Sequence, residues 1–196
     1  MLDLKARSKL APVLDPVAAG LDRMRMTPMF VTLLGLAVTI VGSVLIAAGE
    51  LAWGAGVAAI GALLDALDGP LARRQGTASI RGAFVDTISD RLGEIAIWTG
   101  LAYHVREEPI LLLLCLIALA FSLMTPYVRA RAEAWGAEGR GGWMGRAERL
   151  IVSLLGIGLH GLGLPVLDIM LWAMVVLTGL TVAQRIRKTW GQLPAG

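Results

Sequence analysis

From Pro28 onward the chain is a succession of long apolar runs, and their length limits the folds open to it more than any other feature. Six can be traced, at about residues 28–49, 52–72, 82–103, 110–128, 150–162 and 166–183. A helix needs roughly 20 predominantly apolar residues to cross the hydrocarbon core of a bilayer. The fifth run reaches that length only if Arg146–Arg149 extend its helix. The third carries Asp86, Asp90, Arg91 and Glu94, so a hydropathy window alone understates it. Composition agrees: the 196 residues are 56% hydrophobic and only 17% charged, and the mean hydropathy is +0.70, far above that of a soluble domain of this size. The expected fold class is all-α, a polytopic membrane protein with six transmembrane helices.

The first 27 residues are of another kind. Asp3, Lys5, Arg7 and Lys9 precede Leu-Ala-Pro-Val-Leu-Asp-Pro-Val-Ala-Ala-Gly-Leu. This reads as an amphipathic helix lying in the membrane interface, with a tail of no fixed structure as the alternative. It lacks the apolar stretch of a cleavable signal peptide. The expected organisation is an interfacial segment, 1–27, and one transmembrane domain, 28–196, with no polar linker and no internal repeat. The lone Cys115 lies in an apolar run and reads as an inert buried residue.

The cations set the orientation. Lys5, Arg7, Lys9, Arg23, Arg25, then Arg73, Arg74, Arg81, then Arg129, Arg131, Arg140, Arg146, Arg149, and finally Arg185, Arg187 and Lys188 all fall on one side of a six-span layout. Only Arg106 falls in the connections of the other side. Both termini are therefore expected in the cytoplasm, in a multi-pass protein of the cell membrane whose surroundings are lipid and whose partners do not include nucleic acid.

Four carboxylates interrupt this apolar sequence. Asp65 and Asp68 are three apart, Asp86 and Asp90 four apart, and each spacing places its pair on one helical face. An ionisable group at membrane depth is costly, by roughly 3 kcal/mol or more, which makes it a candidate for function. Two antiparallel helices joined by the short connection Arg73–Arg81 bring the pairs together, and four carboxylates at close range repel unless cations lie between them. All-oxygen ligation suits Mg²⁺ or Mn²⁺ better than Zn²⁺. Two such ions fit phosphoryl chemistry, in which they clamp a diphosphate and stabilise the leaving group. Gly69 leaves room for a phosphate beside the backbone. Arg73 can grip one with two prongs. Gly82 opens the third span and allows it to pack closely on the second. The plain alternative for any one aspartate is an ion pair with Arg73, Arg74 or Arg91.

The pattern D-x2-D-G-x2-A-R-x8-G-x3-D-x3-D, filled here by Asp65, Asp68, Gly69, Ala72, Arg73, Gly82, Asp86 and Asp90, resembles the signature of the CDP-alcohol phosphotransferases at every fixed position. Thr27-Pro28-Met29-Phe30-Val31-Thr32 is similar to the family's T-P-N-x-V-T segment, and the six-span layout matches as well. The resemblance implies transfer of a phosphatidyl group from a CDP-linked lipid, typically CDP-diacylglycerol, to an alcohol, with release of CMP. It implies that Asp65, Asp68, Asp86 and Asp90 bind two metal ions, Mg²⁺ with Mn²⁺ as the other option. Asp90 is also implied as general base on the acceptor hydroxyl. Asp65, Gly69, Arg73, Ser79 and the segment Pro28, Met29, Phe30, Val31, Thr32 are implied to hold the CDP-lipid. Homodimers are common in the family.

Pro126-Tyr127-Val128-Arg129-Ala130-Arg131-Ala132-Glu133 and Gly142-Trp143-Met144-Gly145-Arg146-Ala147-Glu148-Arg149 resemble the phosphatidylinositol-phosphate synthase branch. That resemblance implies a phosphorylated polyol acceptor, inositol 1-phosphate, whose phosphate is bound by Arg129, Arg146, Arg149 and Arg185. Gly145 departs from the glutamate usual in that branch. Glycerol 3-phosphate, another anionic acceptor, is the alternative; serine or free inositol would need less positive charge. A purely topological or lipid-headgroup role is the alternative for the arginines themselves. More distant readings are a membrane prenyltransferase, which usually carries two separated Asp-rich motifs, and an ion-coupled transporter, which usually places its carboxylates nearer the midplane.

Overall fold

A computed structural model describes residues 14–194, and among these there is no strand. The larger part of the predicted interfacial segment, residues 1–13, lies outside the described residues. The helices are α1 (14–23), α2 (Pro28–Ala47), α3 (Leu51–Asp65), α4 (Asp68–Gln75), α5 (Ile80–His104), α6 (Pro109–Ala134), α7 (Arg146–Gly161) and α8 (Leu167–Trp190). They form two compact units, Met1–Leu101 and Ala102–Gly196.

In the first unit, α2 starts where its sequence directs. The Thr27 hydroxyl accepts from the Phe30 N–H at 3.3 Å, and Pro28 stands at the first helical position, where its missing N–H costs nothing. α2 packs on α3 through glycines seven apart on each helix. A Cβ on Gly35 would lie 2.8 Å from the Gly61 carbonyl oxygen, and one on Gly42 would lie 2.7 Å from that of Gly54. The two backbones therefore touch directly, as small residues permit in membrane bundles. The same Gly35 Cβ would lie 2.9 Å from the backbone nitrogen of Asp65, so this seam fixes where Asp65 emerges.

The second predicted span is not one helix. α3 ends at Asp65, and α4 begins at Asp68. Pro70 explains the break: it has no N–H to give the Ala66 carbonyl, and its ring disfavours a continuous helix there. The turn tightens instead, with the Leu67 N–H donating to the Leu64 carbonyl at 3.0 Å. α4 closes on Gly76 in the left-handed conformation (φ 66°), whose N–H bonds the Ala72 and Arg73 carbonyls. α5 follows after a short connection and is started by Ser79, whose hydroxyl accepts from the Gly82 N–H at 3.1 Å. A Cβ on Gly82 would meet only that hydroxyl, at 3.4 Å, so close packing on the second span is not what Gly82 supplies. The Ser43 hydroxyl, on α2, bonds the Ala96 carbonyl on α5.

The N-terminal segment is helical over 14–23, and its apolar stripe Leu14, Ala18 and Leu21 joins Val31, Leu64, Leu67 and Leu71 in a small core. Asp22 ties α1 to α4, accepting from Arg74 at 3.1 Å and Gln75 at 3.0 Å.

In the second unit, α8 packs against both α6 and α7. α6 runs six residues past the predicted span, so Arg129 and Arg131 are helical. The glycine-rich connection between α6 and α7 is tied to α8 by Lys188, which reaches Glu138 at 2.9 Å and the Arg140 carbonyl at 2.8 Å. The Lys188 ammonium holds the Glu138 carboxyl below the usual carboxylate range.

Among the described residues, four helical stretches are long and apolar enough to cross a membrane: Pro28–Ala47, Leu51–Gln75 (α3 with α4), Pro109–Ala134 and Leu167–Trp190. The other two predicted spans fall short for different reasons. α5 has the length, 25 residues, but carries Arg81, Asp86, Asp90, Arg91 and Glu94. α7 does begin at Arg146, as its length required, yet with 16 residues it spans only about 24 Å at the helical rise.

Candidate active site

Three helix positions converge in the first unit. Asp65 is the last residue of α3, Asp68 the first of α4, and Asp86 lies near the start of α5. One carboxylate oxygen from each lies within 4.8 Å of the others, with Asp65 buried and the other two half-buried. Three anionic oxygens so close repel one another at low dielectric, and a divalent cation among them relieves that repulsion. The donor set is hard and all-oxygen, which fits Mg²⁺ or Mn²⁺. Asp90 stands one turn further along α5, outside this trio, with a carboxylate oxygen 3.8 Å from Arg91. Arg91 in turn holds the largely buried Glu94 at 2.7 Å.

Beside the carboxylates lies a cavity of about 460 Å³. Asp68 and Asp86 line it, and so do Pro28, Met29, Thr32, Gly69, Arg73 and Ser79 of the residues singled out from the sequence. The only neighbour a Cβ on Gly69 would meet is an Arg73 guanidinium nitrogen at 3.4 Å, so the backbone there is open to a ligand. Phe30 and Val31 do not line the cavity: Val31 is fully buried against α1, and Phe30 is more than half exposed. A helix turn explains the division, since 28, 29 and 32 share a face that 30 and 31 do not. Asp65 lies outside the lining too.

The sequence reading missed two lining residues of chemical weight. Arg81 was counted only among the topological charges, yet it lines the cavity with Arg73. Its place immediately before Gly82, inside the motif's eight-residue spacer, was the available signal. Gln75 also lines the cavity, and its side chain is held by Asp22 and by the Met26 carbonyl at 2.9 Å.

The four arginines that the resemblance assigns to the acceptor phosphate all lie in the second unit. Arg149, in the first turn of α7, is only 2% exposed and donates to the Met144 carbonyl at 3.4 Å. Arg185 donates to the carbonyls of Gly141 at 2.9 Å and Thr125 at 2.7 Å, and Arg129 and Arg149 are its cationic neighbours. Arg129 pairs with Glu133 at 2.9 Å. Arg146 is half-buried at the start of α7.

The carboxylate trio, the open backbone at Gly69 and the two cavity arginines form a site suited to a divalent cation and an anionic, phosphate-bearing ligand. The sequence pattern of the CDP-alcohol phosphatidyltransferases matches residues 25–182, and the chain belongs to that family of transferases. It is 36% identical over 198 residues to the phosphatidylinositol phosphate synthase of Mycobacterium tuberculosis, covering 96% of this chain and 91% of the relative. The crystal structure of the Mycobacterium tuberculosis phosphatidylinositol phosphate synthase with CDP-DAG bound superposes with a TM-score of 0.87 at 34% identity, covering 94% of this chain and 98% of that one. The structure of the same enzyme in complex with manganese and citrate gives a TM-score of 0.86 at 34% identity, covering 93% of each chain.

Proposed function

We propose that this chain transfers the phosphatidyl group of CDP-diacylglycerol to inositol 1-phosphate, forming phosphatidylinositol phosphate and releasing CMP for phospholipid biosynthesis. The observation that carries the reading is the meeting of the Asp65–Asp68–Asp86 carboxylates with a cavity lined by Arg73 and Arg81. A phosphate-rich ligand placed there would meet both cationic side chains and metal-binding oxygens. The relatives' names support the choice of acceptor.

In this reading Asp65, Asp68 and Asp86 hold divalent metal, with Asp90 completing a second position. Two Mg²⁺ ions, when bound, would neutralise the diphosphate and the departing CMP. Arg73 grips a phosphate oxygen of the donor; Gly69, Ser79 and, at the start of α2, Pro28, Met29 and Thr32 shape the nucleotide end of the cavity. Asp90 takes the proton of the acceptor hydroxyl as that oxygen attacks the lipid-bearing phosphorus. Arg129, Arg146, Arg149 and Arg185 bind the acceptor's own phosphate. α5 and α7 complete a six-span layout with this chemistry on the cytoplasmic side of the cell membrane, and the active form is a homodimer.

The test is CMP release by purified protein supplied with CDP-diacylglycerol and Mg²⁺. Inositol 1-phosphate, glycerol 3-phosphate, serine and inositol are offered one at a time. Release with inositol 1-phosphate alone is the expected result. Release with glycerol 3-phosphate instead would keep the reaction class and discard the acceptor.

A further inference from the structure

The Thr32 hydroxyl lies 3.0 Å from the Pro28 carbonyl, one turn back on its own helix, and 2.5 Å from Oδ2 of Asp68, 36 residues away. A threonine has one O–H to donate. An ionised carboxylate is the stronger acceptor, and charge-assisted O–H···O⁻ bonds have about this length. The proton therefore goes to Asp68, while the Pro28 carbonyl, within the first turn of α2, restricts the side chain's rotation. Thr32 is 3% exposed, so water does not compete for the bond.

The partner's place in the fold makes this bond consequential. Asp68 is the first residue after the break between α3 and α4, where helical hydrogen bonding constrains the backbone least. Thr32 stands in the second turn of α2, a helix anchored along its length by the glycine seam to α3. We propose that Thr32 is a positioning residue for Asp68, fixing the carboxylate orientation that a divalent cation requires, and that its hydroxyl serves the metal ligand rather than the nucleotide of the donor lipid. The proposal rests on the metal role assigned to Asp68 above.

Mn²⁺ titration of the full chain in detergent, followed by electron paramagnetic resonance and without any CDP-lipid present, separates the possibilities. Loss of an outer hydrogen bond to a metal ligand costs about 10–100-fold in affinity. Thr32→Val, which keeps the volume and removes the hydroxyl, is expected to weaken Mn²⁺ binding by that amount. Thr32→Ser, which restores the hydroxyl, is expected to bind close to the wild-type value. Should the valine variant not fold, Thr32→Ala removes the same hydroxyl and carries the same expectation. Unchanged Mn²⁺ affinity in Thr32→Val with a weakened CDP-lipid affinity would overturn the proposal and return the hydroxyl to the nucleotide. Absence of Mn²⁺ binding by the wild-type protein would overturn the metal reading and this proposal with it, a result distinguishable from the first.

Discussion

Asp65 closes one helix and Asp68 opens the next, so the two carboxylates that their spacing assigns to a single helical face are set by a turn instead. The turn is made by Pro70, and Gly69 before it accepts the conformations that a following proline disfavours in other residues. Pro70→Ala should let α3 run on into α4. A proline in a helix interior costs about 3 kcal/mol, so the variant's thermal midpoint in detergent should stay level or rise. Its CMP release should fall by about 10²-fold, the order of loss that a 1 Å misplacement of a reacting group causes. A fully active Pro70→Ala would show that the break does not set the carboxylate geometry.

Asp90 is separated from the trio, and this predicts that the aspartates will not behave alike. Asp68→Asn removes a ligand from the convergent site and should abolish both Mn²⁺ binding and turnover. Asp90→Asn should leave that site and CDP-lipid binding largely intact while reducing turnover by about 10²–10⁴-fold, the usual contribution of a general base. Binding isotherms for Mn²⁺ and CDP-lipid beside single-turnover rates check both. Retained turnover in Asp90→Asn would remove it as the base.

Which parts were legible in the sequence follows from what each depends on. The carboxylates and Arg73 stand out because charge is improbable in apolar sequence; Gly69 stands out by directly following Asp68, and Pro28 and Thr32 only through the family resemblance. The helix break was hidden because residues 52–72 have the length of a single span and the three-residue spacing of Asp65 and Asp68 fits one helix face. Phe30 and Val31 share a segment with cavity residues but turn away from it, and only the helix phase at Thr27–Pro28 decides that. Arg185 was assigned to the acceptor by the family resemblance; the two hydrogen bonds its guanidinium gives to the Gly141 and Thr125 carbonyls join segments that no local pattern encodes.

The α2–α3 seam predicts a sharp contrast between two glycines in the first unit. A Cβ on Gly42 would lie 2.5 Å from the Ala58 backbone nitrogen and 2.7 Å from the Gly54 carbonyl oxygen. Backbone cannot yield as a side-chain tip can, so Gly42→Val should cost about 1–3 kcal/mol as overpacking does. A Cβ on Gly56 meets nothing within 4 Å. Gly56→Ala should stay within about 0.5 kcal/mol, as surface changes usually do. Thermal midpoints of the two variants, measured in the same detergent, check the contrast. Equal midpoints would mean that α2 and α3 approach less closely than described.

Arg149 offers the cleanest test of the acceptor site, because a guanidinium only 2% exposed is not there to decorate a surface or touch lipid headgroups. Truncation to alanine would mix lost binding with a buried void, so lysine is the informative change. Arg149→Lys keeps a positive charge but loses the planar fork that meets a phosphate with two hydrogen bonds. Losing one charge-assisted bond worth about 1.5–3 kcal/mol raises the acceptor KM by about 10–150-fold. The KM for CDP-diacylglycerol should not change. Steady-state kinetics with each substrate varied in turn decides the matter: parallel rises in both constants would assign Arg149 to the architecture of α7 rather than to the acceptor phosphate.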